Sequence, residues 1–265
     1  MKLKLLIGAL AVCATCTAQA ALLTVTVTNV AEDSDFFLTP LWIGLHDGTF
    51  DLFDAGQSAS AGLSLIAEEG DPSVLSAEFQ SATGGNGIES VIANPDGFAG
   101  APVLDPGESG TVTLVLDEPT AALFFSFASM VIPSNDAFIG NDGADAYRIF
   151  NDDGTFANPS DIEIFAGDIW DAGSELDDQM GAAFSALGGM STDSNDPVMQ
   201  TALQSLANFA GTDTAAGTTI NQIPGSGALV ARISFSVVEV PEPTSLALLS
   251  LGLLGLGARR RLLAS

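Results

Sequence analysis

The chain has 265 residues, 47% of them hydrophobic, and sets 33 acidic side chains against seven basic ones, for a formal charge of −26. That much apolar material supports a packed core and excludes a disordered polymer. A charge of that sign excludes nucleic-acid binding, because phosphate backbones and anionic bilayers are repelled at long range.

The first 20 residues, MKLKLLIGALAVCATCTAQA, combine two lysines, an apolar stretch from Leu5 to Val12 and small residues at Ala18 and Ala20. This predicts a secretory signal over 1–20, cleaved after Ala20. Both cysteines, Cys13 and Cys16, lie inside it, preceded by Val12 and Thr15 rather than by a lipid-attachment pattern, so the exported chain is expected to carry no thiol and no disulfide. Between signal and tail, residues 21–240 keep two arginines, Arg148 and Arg232, against 32 carboxylates, a formal charge of −30. Such a surface reads as a solubility or salt adaptation, and carboxylates that converge in a loop need a cation.

Alternation dominates the middle. LLTVTVTNV (22–30) puts Leu23, Val25 and Val27 on one face and threonines on the other, the period of a half-buried strand. TVTLVLD (111–117) repeats that pattern after the turn-prone DPGESG, and ALFFSFASMVI (122–132) is apolar throughout, as a strand buried on both faces would be. YRIF (147–150), DIEIF (161–165) and ALVARISFSVVEV (228–240) complete the predicted strands, with NDDG at 151–154 as a hairpin-type turn. Helical spacing appears over 60–83, where Asp71-Pro72 opens a second segment, and again over 196–209, which begins with the same Asp-Pro step. The glycine- and alanine-rich stretches 84–101 and 210–227 read as long surface loops. One all-β domain over 21–240 is expected, an antiparallel two-sheet β-sandwich with short helices inserted between strands.

The catalytic inventory argues against an enzyme. The only histidine is His46, placed at a strand end in PLWIGLHDGTFDLFD, where a hydrogen-bonded structural role is the ordinary one. No Gly-x-Ser-x-Gly elbow, metal-binding histidine pair or phosphate loop is present, and among so many carboxylates no pair stands out for sugar hydrolysis. A metal site has better candidates. Asp136, in IPSNDAFIG, and Asp168, Asp171 and Glu175, in GDIWDAGSELDD, all fall just past predicted strand ends, where loop oxygens can serve a hard divalent cation. The alternative is that these aspartates cap turns and face water. Asn141, Asp142 and Asp145 look like an ordinary polar turn.

Three motifs in order carry a resemblance. TPLWIGLHDGTFDLFDAGQSASAGLSLIAEEGD (39–71), FASMVIPSNDAFIG (127–140) and IWDAGSE (169–175) resemble the spondin N-terminal domain. The resemblance implies a β-sandwich similar to the calcium-dependent membrane-targeting domains, with Ca²⁺ held at one end by three acidic side chains. The matching positions here are Asp136, Asp171 and Glu175, the last a glutamate where the family has aspartate. It further implies that Trp170 packs under the site and that Gly173 permits the turn returning Glu175 to it.

The chain closes with VPEPTSLALLSLGLLGLGARRRLLAS. The apolar run Ser245 to Ala258 spans 14 residues, short of the roughly 20 a bilayer-crossing helix needs. Pro241-Glu242-Pro243, that run and Arg259-Arg260-Arg261 together resemble the PEP-CTERM sorting signal of Gram-negative bacteria, assigned here to 241–265. The resemblance implies cleavage near the Pro-Glu-Pro by a membrane-embedded exosortase, transient membrane association and release to the cell surface or an exopolysaccharide matrix. The expected function is therefore a secreted, non-enzymatic, calcium-binding adhesion or matrix-interaction module. The alternatives are a structural matrix filler without a specific ligand or, more remotely, a carboxylate-dependent hydrolase.

Overall fold

A computed structural model describes residues 20–31, 36–94, 102–200, 202–221 and 223–239. The signal up to residue 19 and the tail from Pro241 lie outside the described residues.

Two antiparallel sheets face each other. The first orders β5 (Ser109–Leu116), β1 (Ala21–Asn29), β10 (Leu229–Glu239) and β8 (Ile162–Phe165) side by side. Strand β1 behaves as its alternation predicts: Leu23, Val25 and Val27 are buried, while Thr24, Thr26 and Thr28 face outward and hydrogen-bond across the ladder to Thr113, Thr111 and Ser109. The second sheet orders β4 (Ile88–Ile92), β3 (Leu41–His46), β6 (Phe124–Ile132), β7 (Ala137–Gly140) and β9 (Trp170–Asp171), with the short β2 (Phe37–Leu38) paired to the end of β6.

Strand β6 is buried on both faces for a structural reason that periodicity alone does not reveal. Its Phe125 and Phe127, with Ile43 and Leu45 of β3, meet the first sheet in the main core. The opposite face is covered by two helices, α1 (Ala61–Glu69) and α2 (Ser73–Ala82), whose Leu63, Ile66, Leu75 and Phe79 enclose Trp42, Ala128 and Phe138 in a second core. Ser60 caps α1 by accepting from the Leu63 N–H, and Gly70 ends it in the left-handed conformation. Asp71 accepts from the Ser73 N–H, so Pro72 stands one place before the helix rather than in its first turn.

Three expectations are corrected. YRIF makes only isolated bridges, Arg148 to Phe124 and Phe150 to Phe156, the second closed by the predicted NDDG turn. In 196–209 only Ala202–Leu206 (α3) is α-helical, because the Met199 backbone is taken by a two-way exchange with Asp171 and the Asp196 N–H by the Gly173 carbonyl. The stretch 84–101 contains a strand, β4, paired along β3. In 210–227 the bridges are isolated ones, Asp213 with Thr219 within the stretch and Thr214 with Ser185 outside it.

Gly44 lies where the second sheet packs closely against its helices. A Cβ there would lie 2.7 Å from the Trp42 ring and 2.8 Å from Phe79, both fixed in edge-to-face contact. Gly44→Ala is therefore expected to destabilise the domain by about 1–3 kcal/mol, read as a lower urea midpoint with unchanged slope.

Candidate metal centre

Asp136 is delivered by the turn between β6 and β7. The Ser134 hydroxyl donates to the Val131 carbonyl and accepts from the Ala137 N–H, which folds the chain back after the cis Ile132–Pro133 bond and turns Asp136 inward, with no exposed surface. The facing loop starts from β9, whose Asp171 pairs with Ala137 and whose following Ala172 N–H donates to the Asp136 carbonyl. Asp171 Oδ1 accepts from the Gly173 N–H at 2.8 Å, and Gly173 takes a positive φ of 67°. That turn aims two successive backbone donors at one carboxylate oxygen. The N–H groups of Ser174 and Glu175 reach Asp136 Oδ2 at 2.7 and 3.0 Å, and the Ser174 hydroxyl adds a third contact at 3.2 Å.

The other oxygen, Asp136 Oδ1, is buried without a hydrogen-bond partner among the described residues. Asp136, Asp171 and Asp177 each bring a carboxylate oxygen within 4.8 Å of the others. Burial is the main reason the Asp136 carboxyl is pushed up to about 7; the Glu175 and Ser174 N–H groups pull it down, and the nearby Asp171 and Asp177 charges push it further up. Asp171 and Asp177 line a cleft of about 250 Å³ with Asp196 and Glu175 on its wall. A hard divalent cation fits this donor set, which is all oxygen, anionic and missing one partner at its most buried atom.

A profile of the Spondin_N family matches residues 38–205. The chain belongs to the Spondin_N family. A second match, to the PEP-CTERM protein-sorting motif, covers residues 239–261, and no curated protein matches the chain. The Spondin_N chain is thus marked for exosortase processing and for export to the cell surface or beyond it.

The Spondin_N domain brings two of the three predicted ligands together, Asp136 and Asp171, and sets Asp177 beside them as the third carboxylate. Glu175 gives the cluster its backbone N–H, while its side chain accepts from Ser191. Burial and the charges of Glu68, Glu69 and Asp193 push the Glu175 carboxyl up, so that side chain faces the end of α1 and the 191–193 strand-like segment. Asp168 is not in the cluster; it accepts from the Phe165 N–H on the other side of β9. Asn141 is a buried structural group holding the Phe127 N–H, whereas Asp142 and Asp145 are exposed. Trp170 is half-buried and packs edge-on against Phe53, so it supports the second core next to the site. Nothing in the acidic run 171–178 singled out Asp177; the position is chosen by the Gly173 turn, which the residue types do not display.

His46 takes no part in this centre. It is buried, its Nδ1 accepts from the Gly48 N–H, and its Nε2 therefore donates to the Ser126 hydroxyl at 3.0 Å. Burial lowers its pKa to about 4, against a smaller opposing pull from Asp47. The unfolded chain takes up this proton near pH 6.5 and the native state only near 4, so the contribution of about 3 kcal/mol is complete above that window and lost as pH falls through it. His46→Gln, which can keep both hydrogen bonds, should lack this loss. The stability gap between wild type and variant is expected to narrow between pH 6.5 and 4 in urea titrations.

Proposed function

We propose that this exported Spondin_N domain is a non-enzymatic adhesion or matrix-interaction module that binds Ca²⁺ through Asp136, Asp171 and Asp177. The observation that carries the reading is Asp136 Oδ1, fully buried beside two further carboxylates. An ionised carboxylate with one oxygen unsatisfied is costly to bury, and a cation removes that cost. The family pattern supports Asp136 and Asp171 and has its third acid at Glu175, whereas the carboxylate that clusters with those two is Asp177. Calcium bound here would tie the turn after β6 to the loop after β9, giving the rim a fixed shape for a surface partner. An affinity of roughly 10⁻⁴ to 10⁻³ M suffices where calcium is millimolar, as it is for extracellular modules.

Thermal unfolding of the exported chain tests this. Calcium is expected to raise the melting temperature and EDTA to reverse the rise; identical curves in both would refute the proposal. Asp136→Asn, Asp171→Asn and Asp177→Asn should each abolish the calcium-dependent shift. Asp136→Asn should also be at least as stable as wild type in EDTA, because it keeps the acceptor for Ser174 and Glu175 without the buried charge. Glu175→Gln should retain most of the shift, whereas a complete loss there would move the third ligand from Asp177 to Glu175. Retention of the chain on polysaccharide or cell surfaces with calcium, and release by EDTA, separates an adhesion module from a matrix filler without a ligand.

A further inference from the structure

On the other side of β9 from the metal centre lies a second pocket, of about 300 Å³, at the open seam where β8 of the first sheet approaches the β7–β9 edge of the second. The alternation of an extended strand separates the two sites: Asp171 and Met199 line the metal cleft, while their neighbours Trp170 and Gln200 line the pocket. Its apolar walls include Trp170, Phe127 and the Tyr147 ring. Its polar lining includes Asp142, Asp168 and Glu163, with the Tyr147 phenol and the Gln200 amide.

Arg232 neutralises Glu163 in this lining, but neither arginine of the domain pairs with Asp142 or Asp168. Only two basic side chains occur between residues 21 and 240. Arg232 is held by Glu163 at 3.0 Å with Asp161 nearby, and Arg148 pairs with Asp152 and lies over Phe124. Asp142 and Asp168 therefore leave a negative field across an aromatic-walled pocket. Burial and then the Asp168 charge push the Tyr147 phenol upward, as that field requires. A bare metal ion is a poor occupant, since the one carboxylate cluster tight enough for an ion among the described residues is Asp136, Asp171 and Asp177. An organic cation is a good one, because aromatic faces and carboxylates both attract a positive charge spread over a small body.

We propose that this pocket binds a protonated amino sugar, its ammonium group facing Asp142 and Asp168, its ring against Trp170, and its hydroxyls meeting Tyr147 and Gln200. A lysine side chain offers the same charge, but its aliphatic stem leaves the phenol and the amide unmet. The assignment deepens the adhesion reading by naming a ligand, and it is independent of the ion, so it is tested with EDTA present throughout.

The experiment is calorimetric titration of the exported chain with glucosamine trimer, N-acetylglucosamine trimer and Nα-acetyl-lysine amide. The glucosamine trimer is expected to bind, more weakly as salt is raised, and the N-acetylated trimer, which has the same backbone but no charge, is not. Asp142→Asn and Asp168→Asn, with melting temperatures unchanged, should each weaken binding by about tenfold. Equal binding of the two trimers, no binding of either, or indifference to both substitutions would overturn the proposal. Lysine amide binding as tightly as the glucosamine trimer would overturn the sugar assignment. Failure of the calcium reading would show in the melting curves and leave these titrations unchanged.

Discussion

The structure turns on the two oxygens of Asp136. One takes every donor that the 173–175 turn can aim at it, joining loops that lie 38 and 39 positions apart in the chain. The other is buried among carboxylates. The first oxygen fixes where β9 runs and how the acidic run after it is displayed. The second leaves a charge in the interior that a proton or a cation must balance. The same contact that closes the fold at this rim therefore creates the chemical demand of the site.

The rest of the architecture holds this contact still. Strand β6 is clamped between the first sheet and the α1–α2 pair, so the turn it feeds has little freedom. Met199 and Gly173 pin the far side of β9: Met199 exchanges backbone hydrogen bonds with Asp171, and the Gly173 carbonyl accepts from the Asp196 N–H and the Ser194 hydroxyl. Elsewhere the charge is left to solvent. With two arginines, both engaged in exposed ion pairs, the domain keeps a large negative charge, and carboxylates line two clefts beside β9. Exposed pairs of this kind contribute little to stability, so the fold rests on its two apolar cores.

Several elements were legible from their apolar pattern: β1, β5, β8, β10 and the two helices bury one face and follow from alternation or helical spacing, and β6, buried on both, follows from its unbroken apolar run. Strands β4, β7 and β9 were not. They are two to five residues long, and β4 is flanked by Gly87 and Asn94 in a stretch that reads as loop. Their pairing partners, not their own residue types, make them strands. The segment from Asp196 to Phe209 misled for the converse reason: its apolar spacing and Asp-Pro opening suit a helix, yet Val198 is buried in the second core and Met199 joins β9.

The sequence by itself determined the class of the fold, the family, the sorting tail and two of the three clustered carboxylates, because each is written in local pattern or in a short motif that survives without context. Only the tertiary structure decided which acid completes the cluster, which aspartates stay outside it, and that Trp170 and Asp171, neighbours in the chain, serve opposite sides of one strand. Those choices depend on where backbone donors point once β7 and β9 pair, and no composition or spacing encodes that direction.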